Sequence, residues 1–319
     1  MYFMAVKLIK YTMSEYKKRL IYRIFTFSVC ICIMIAAPLI MFTKDNKVTA
    51  DDEPTVLSVW QIDNFEGGRG SRASYLQNIG NDFSKSGGCY VTVTQITADA
   101  AVENLTGGTI PDLISYGAGT EGLERYIVGD NPFYCWCNGG YCLLSLEQNA
   151  DFSKANAENT VINEGTGNKV KACALFLNLN GADCVQPTAA YVKLINGEYK
   201  YLLGTQRDIF RLKTRGMQFS VMPVTEFNDL YQNISITTQN TKKCAVAEKF
   251  IEKLLLQSNN ISKIGLFKEG QNLYDDELHV MEGLNYNITL KTPLSGNTKN
   301  ELDEAILNSD INLIKNLLN

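Results

Sequence analysis

The stretch Val56–Gln77, VLSVWQIDNFEGGRGSRASYLQ, decides how the rest of the chain is read. Val56, Leu57, Val59 and Trp60 form an apolar, β-branched run that predicts a buried strand. A polar, glycine-rich loop follows from Asp63 to Gly70. Ser71 then offers a helix N-cap, and residues 72–84 have the pattern of an amphipathic helix. In an open α/β sheet, the loop after such a strand lies at the carboxyl edge, where ligands bind. Its parts suit that role: Trp60 at the entry, Asp63 and Glu66, the amides freed by Gly67, Gly68 and Gly70, and Arg69.

Downstream, the β-α pattern repeats. Tyr90 to Ile96 alternates as a second strand. Thr97 caps a helix over 98–105 that Gly107 and Gly108 end, and Pro111-Asp112 introduces a short buried strand at 113–115. Tyr116, Gly117 and Gly119 open its carboxyl-end loop. This order predicts a mostly parallel sheet with helices on its faces. Residues 145–169 are polar and read as surface loop. A compact helix is expected over 171–179. Asn196-Gly197 between two apolar runs, 191–195 and 199–203, predicts a β-hairpin. Thr205, Gln206, Arg207 and Asp208 lead into a helix start, where free amides suit an acceptor-rich ligand. Strands are expected at 217–224 and 230–237, and helices at 242–257, 275–282 and 300–318.

Charge is unevenly spread. The net charge is −4, yet residues 1–50 hold eight Lys/Arg and two Asp/Glu, leaving 22 basic and 32 acidic residues beyond them. An acidic body argues against a nucleic-acid partner. The basic residues flank Ile24 to Thr43, an uncharged apolar run long enough to span a bilayer. The flank places the N-terminus in the cytosol and the body outside. The run is expected to be a signal peptide, with Val48-Thr49-Ala50 as a cleavage site, or a retained anchor.

Seven of the nine cysteines lie beyond that run. Cys135, Cys137 and Cys142 have no fourth partner nearby and the chain has one His, His279, so neither a metal site nor a cofactor is expected. Gly68-Arg69-Gly70 does not fit a dinucleotide fingerprint, because a polar loop separates it from the strand.

Several landmarks together resemble the extracellular solute-binding proteins of ABC importers, especially the sugar-binding, family 1-like type. They are the first strand and helix; Gly108, Pro111, Asp112, Leu113 and Ile114; Tyr134-Cys135-Trp136-Cys137 with Gly139, Gly140 and the apolar run to Leu144; and Gly265-Leu266-Phe267 after the long helix. The intervening segment at 120–131 is shorter than usual. The resemblance implies an α/β, two-lobed, type II periplasmic-binding-protein-like fold with a ligand cleft between lobes, preceded by an N-terminal apolar helix. It divides the chain into a cytosolic segment (1–23), signal peptide or anchor (24–43), linker (44–54), first lobe (55–143), second lobe (144–237), a return to the first lobe (238–285) and C-terminal helices on a lobe (286–319). It also implies a monomer at the extracellular face of the membrane that passes a small solute, a carbohydrate by the type resembled, to permease subunits. Expected ligand contacts are Trp60, Asp63, Glu66, Gly67, Gly68, Arg69 and Tyr116 from the first lobe, Trp136 at the crossing, and Thr205, Gln206, Arg207 and Asp208 from the second. Two alternatives stand beside this: an anchored ligand sensor on the same fold, and a secreted hydrolase using Asp63 and Glu66 as its carboxylate pair.

Overall fold

A computed structural model of the chain describes residues 54–318, apart from 88, 130–132 and 167. The apolar run at 24–43 lies outside them. Among the described residues no helix is long and apolar enough to cross a membrane.

Two five-stranded sheets organise the structure. The first contains β1 (Thr55–Ile62), β2 (Cys89–Ile96), β3 (Leu113–Gly117), β4 (Tyr134–Asn138) and β10 (Tyr231–Ile236), in the order β2-β1-β3-β10-β4. The second contains β5 (Tyr141–Ser145), β6 (Thr160–Asn163), β7 (Asp183–Val185), β8 (Tyr201–Thr205) and β9 (Ser220–Pro223), in the order β7-β6-β8-β5-β9. The two orders are equivalent. Each has three parallel strands, then one antiparallel strand that arrives from the other lobe, then an edge strand.

Helix α1 (Arg72–Ser84) and helix α2 (Ala98–Thr106) follow β1 and β2. Ser71 accepts from the Ser74 amide and Thr97 from the Ala100 amide, each satisfying a donor that a helix start leaves free. Leu57 and Val59 are fully buried on one face of β1, as its period of two requires. Asp112 fixes β3 against β1. Its carboxylate accepts from the Ser58 amide at 2.9 Å, the Ser58 hydroxyl at 3.0 Å and Lys243 Nζ at 2.9 Å. Burial pushes this carboxyl up, but the Ser58 and Lys243 donors outweigh it and hold the group below its ordinary value. The Pro-Asp-Leu landmark is therefore a clamp between strands and the long helix.

The second lobe carries α3 (Asn168–Phe176), α4 (Pro187–Ile195) and α5 (Gln206–Thr214), and α6 (Thr241–Leu256) packs on the first sheet beside α1. The expected hairpin at 191–203 is absent; its first arm is α4. Pro187 sits in the first turn, and Ala190, Tyr191 and Leu194 share the buried face. Asn196-Gly197 ends this helix. Gly197 has φ +73° and donates to Leu194 O, while the Glu198 amide donates to Lys193 O. That pair of bonds is a Schellman stop, which needs the same left-handed residue that a hairpin turn does.

Other expectations also change. Part of the polar stretch 145–169 is β6, buried at every position. Residues 275–282 contain only a 3-10 turn, His279–Met281. The last helix is two, α7 (Gly296–Leu307) and α8 (Ile311–Leu318), broken at Ser309 with φ 55°.

The chain passes between lobes at Gly139-Gly140, at 224–230, and again near Phe267, whose amide and carbonyl pair with Asn138. The return to the first sheet thus falls before β10, earlier than the boundary at 237. Phe267, Leu278 and Met281 then pack in the second-lobe core with Cys142 and Leu202. The seven described cysteines are all free thiols. Burial pushes Cys135 up to about 12 and Cys137, Cys142 and Cys173 well up, so they behave as small apolar side chains.

Candidate functional site

A cavity of about 790 Å³ opens between the lobes. The first lobe contributes Ala98 and Val102 on α2, and Asn64, Gly119 and Thr120 from the loops after β1 and β3. The second contributes Lys169 and Ala172 on α3. The hinge segment adds Phe227 and Asp229, and the tail adds Leu290, Leu294 and, from α7, Lys299 and Leu302. The tail reaches this position because residues 287–290 bond along the hinge at Thr225 and Asn228, and Leu294 bridges Glu121.

At one wall Lys169 Nζ donates to the Ala118 carbonyl, tying the second lobe to the first. It lies 3.9 Å from the Asp229 carboxylate, which also accepts from the Tyr141 hydroxyl at 2.9 Å. Burial pushes the Asp229 carboxyl up, with Lys169 and Tyr141 pulling it back. Burial likewise pushes the Lys169 ammonium down, with Asp229 opposing. Asn64 Nδ2 donates to Ala118 O at 3.0 Å and Thr120 Oγ1 at 3.1 Å, bracing the two carboxyl-edge loops.

The residues expected to touch ligand divide into groups. Tyr116 and Trp136 are core. Tyr116 is fully buried and bonds Ser235, and Trp136 stacks on Tyr75 and bonds Ser115. Trp60, half-buried, packs against the first-lobe cluster of Ile62, Ala101, Leu105 and Ile114. Asp63 holds Arg72 at 2.6 Å and accepts from Gln61 and Gln95. Thr205 and Asp208 form a capping box at the start of α5, and Asp208 also accepts from Asn163 and Arg211. Gln206 accepts from the Gly140 amide at 3.0 Å at the crossing. Thr205, Gln206 and Asp208 are buried and bonded within the fold.

Glu66, Gly68, Arg69 and Arg207 do come together, at the seam between lobes. The Glu66 carboxylate accepts from Arg211 at 2.9 Å, and Arg207 lies at 3.4 Å. The Arg69 amide bonds Ile264 O at 2.9 Å, so the loop packs tightly on Gly265. A Cβ on Gly68 would collide with the Gly265 backbone, whereas one on Gly67 meets only an ordinary contact at 3.6 Å. Gly68→Ala is therefore expected to cost about 1–3 kcal/mol in urea unfolding, and Gly67→Ala well under that; equal losses would show that close approach is not what Gly68 serves.

Lys169, Phe227, Asp229 and the α7 residues escaped the sequence reading. Lys169 stands in the first turn of α3, shortly after β6, a strand hidden by its polar ends Thr160 and Asn163. The α7 residues are ordinary amphipathic-helix positions until the tail is seen to cross the hinge.

No family model and no curated protein matches the sequence. Solved structures are similar. The Trichodesmium protein IdiA (FutA), in complex with iron and citrate, matches 82% of this chain and 99% of its own, with TM-score 0.53 and 9% identity. Apo FutA2 from Synechocystis matches 82% and 98%, with TM-score 0.51 and 9% identity. The substrate-binding domain of a putative molybdenum ABC transporter from Clostridium difficile matches 66% and 98%, with TM-score 0.47 and 13% identity. At such identities the likeness is one of fold: the described chain is an α/β, type II periplasmic-binding-protein-like structure.

Proposed function

We propose that this protein is the extracellular solute-binding component of an ABC importer. It holds a small solute between its lobes and delivers it to permease subunits, without turnover. The observation that carries this reading is the cavity of about 790 Å³, walled by both lobes, the hinge and α7. That size suits a small molecule, and a site at a domain interface is where such ligands bind. Hinge closure around a solute would bend the chain at its passages between lobes, 139–140, 224–230 and near Phe267.

The walls narrow the solute class. Val102, Leu290, Leu294 and Leu302 give an aliphatic surface, and the charged groups are Lys169 and Lys299 with the carboxylates of Asp99, Glu103, Glu121, Asp229 and Asp303. Phe227 is the one aromatic among the lining residues, and neither indole lines the cavity. Carbohydrate is the class implied by the sequence resemblance. The walls favour a solute with an apolar body and a polar or charged end.

The full chain in neutral detergent is to be screened by thermal shift against sugars, amino acids, inorganic oxyanions and ferric citrate. A ligand at ~100 times its dissociation constant stabilises by about 2.7 kcal/mol. A hit recovered chemically unchanged supports the reading. Product formation abolished by Glu66→Gln would replace it with the hydrolase. The uncharged length of 24–43 favours a second reading, an anchored sensor on the same fold, and a mature N-terminus beyond residue 50 would exclude it.

A further inference from the structure

A second concavity lies apart from the interlobe cavity and shares no lining residue with it. It has a volume of about 350 Å³ and is lined by four arginines, Arg69, Arg207, Arg211 and Arg215, with Tyr191 and Phe210 between them. This concentration of positive charge is out of keeping with the acidic body. We infer that this groove is a binding site for a phosphate-bearing ligand.

The charges do not cancel locally. Glu66 lies 2.9 Å from Arg211 and 3.4 Å from Arg207, and Asp208 lies 2.7 Å from Arg211. Those two carboxylates leave the four guanidinium groups with an excess of two positive charges. Among the described residues, neither Arg69 nor Arg215 has an acidic partner within ion-pair distance. Asp276, whose carboxyl feels Arg69, is taken by Lys213. Arg69 makes only long bonds, 3.3 and 3.4 Å, to the carbonyls of Ser262 and Lys263.

The guanidinium groups are also held in place. Arg69 lies over the Phe210 ring at 5.3 Å and Arg215 over the Tyr191 ring at 4.9 Å. Arg207 and Arg211 are fixed by Glu66. Ring stacking orients a guanidinium without consuming its N–H donors. Oriented, uncompensated guanidinium groups match the oxygens of a phosphate, which they bind in paired, charge-assisted bonds. Pre-ordering the side chains lowers the entropy lost on binding. The volume admits a small phosphate ester or a lipid headgroup. Arg69 comes from the first lobe, Arg207 and Arg211 from α5 of the second and Arg215 from its C-cap, so the bound phosphate would tie the lobes at the seam where Glu66 already does.

The test is a calorimetric titration of the full chain, in neutral detergent at low ionic strength, with inorganic pyrophosphate. A second arm measures the thermal midpoint in micelles doped with phosphatidylglycerol or phosphatidylcholine. The variants are Arg69→Gln and Arg215→Gln, both exposed, with Lys249→Gln on α6 as the control; unchanged midpoints without phosphate establish that each variant folds. Saturable pyrophosphate binding, weakened at least ~10-fold by each arginine variant and unchanged by Lys249→Gln, supports the site and a soluble ligand. A midpoint shift in phosphatidylglycerol micelles alone, lost in the arginine variants, supports the site and assigns it to a lipid headgroup. Absence of binding in both arms, or equal weakening by Lys249→Gln, overturns the inference.

Discussion

Asp208→Ala is expected to destabilise the protein by about 3–5 kcal/mol in urea unfolding at neutral pH, the range for removing one partner of a buried ion pair. Asp208 is fully buried and accepts from the Thr205 amide at 3.1 Å, Asn163 at 2.8 Å and Arg211 at 2.7 Å. Its loss removes the acceptor for the Thr205 amide, the reciprocal half of the capping box at the start of α5. It also leaves the Asn163 amide with only a long contact to Glu66 at 3.4 Å. An unpaired buried donor costs about 1–3 kcal/mol. Among the described residues Arg211 would then keep Glu66 as its one carboxylate partner, so the seam between lobes loosens as well. Asp208→Asn keeps the shape and one acceptor, so its loss should be smaller. Equal effects of the two variants would show that the charge, not the shape or packing of the side chain, carries the contribution.

Lys169→Met is expected to cost about 3 kcal/mol at pH 8 and much less at pH 4. The lysine is partly accessible, with 18% of its side chain exposed, so the lower end of the range for broken buried pairs applies. The sign follows from Asp229. Its folded pKa is raised above 3.8, so the native state binds its proton more firmly than the unfolded chain does. The stability it contributes is present below that value and is lost as pH rises through the raised pKa. Lys169 limits this loss by pulling the pKa back. Without the lysine the loss deepens at high pH, whereas at low pH Asp229 is neutral and needs no partner. Lys169 itself has a depressed folded pKa, so its own burial cost grows as pH falls and disappears in the variant, which acts in the same direction. The double variant Lys169→Met, Asp229→Asn should recover most of the loss at pH 8. It keeps an acceptor for Tyr141 and removes the uncompensated charge. Thermal unfolding of wild type, single and double variants at the two pH values checks this; a pH-independent loss would mean that Lys169 serves the Ala118 carbonyl more than Asp229.

Local signals were legible where a residue's chemistry acts on its near neighbours. Strand, loop and helix at 56–84 fall where the apolar run, the glycines and Ser71 place them. The passage out of the first sheet falls at Gly139-Gly140, just after Trp136-Cys137. What stayed hidden depended on distant partners. Gly68 is required by Gly265, which nothing in the local sequence announces. Asn196-Gly197 supplies a left-handed residue, and only the packing of Tyr191 and Leu194 makes it a helix stop instead of a hairpin turn. β6 is buried through Thr160 and Asn163, whose polar character hid it. Trp136 and Tyr116 have side chains suited to ligand stacking, but the fold stacks Trp136 on Tyr75 and buries Tyr116 with its hydroxyl bonded to Ser235. The cavity took its fourth wall from α7, a helix placed by the tail's course along the hinge.

The most direct test is a calorimetric titration of wild type and the Ala98→Trp, Val102→Trp double variant with the solute found by thermal shift. Both positions line the cavity one helical turn apart on α2. Two indoles there obstruct the space between the lobes while leaving the sheets and the hinge untouched. The account predicts saturable binding by wild type and no measurable binding by the folded variant. Unchanged affinity in the variant would place the solute elsewhere and contradict capture between the lobes.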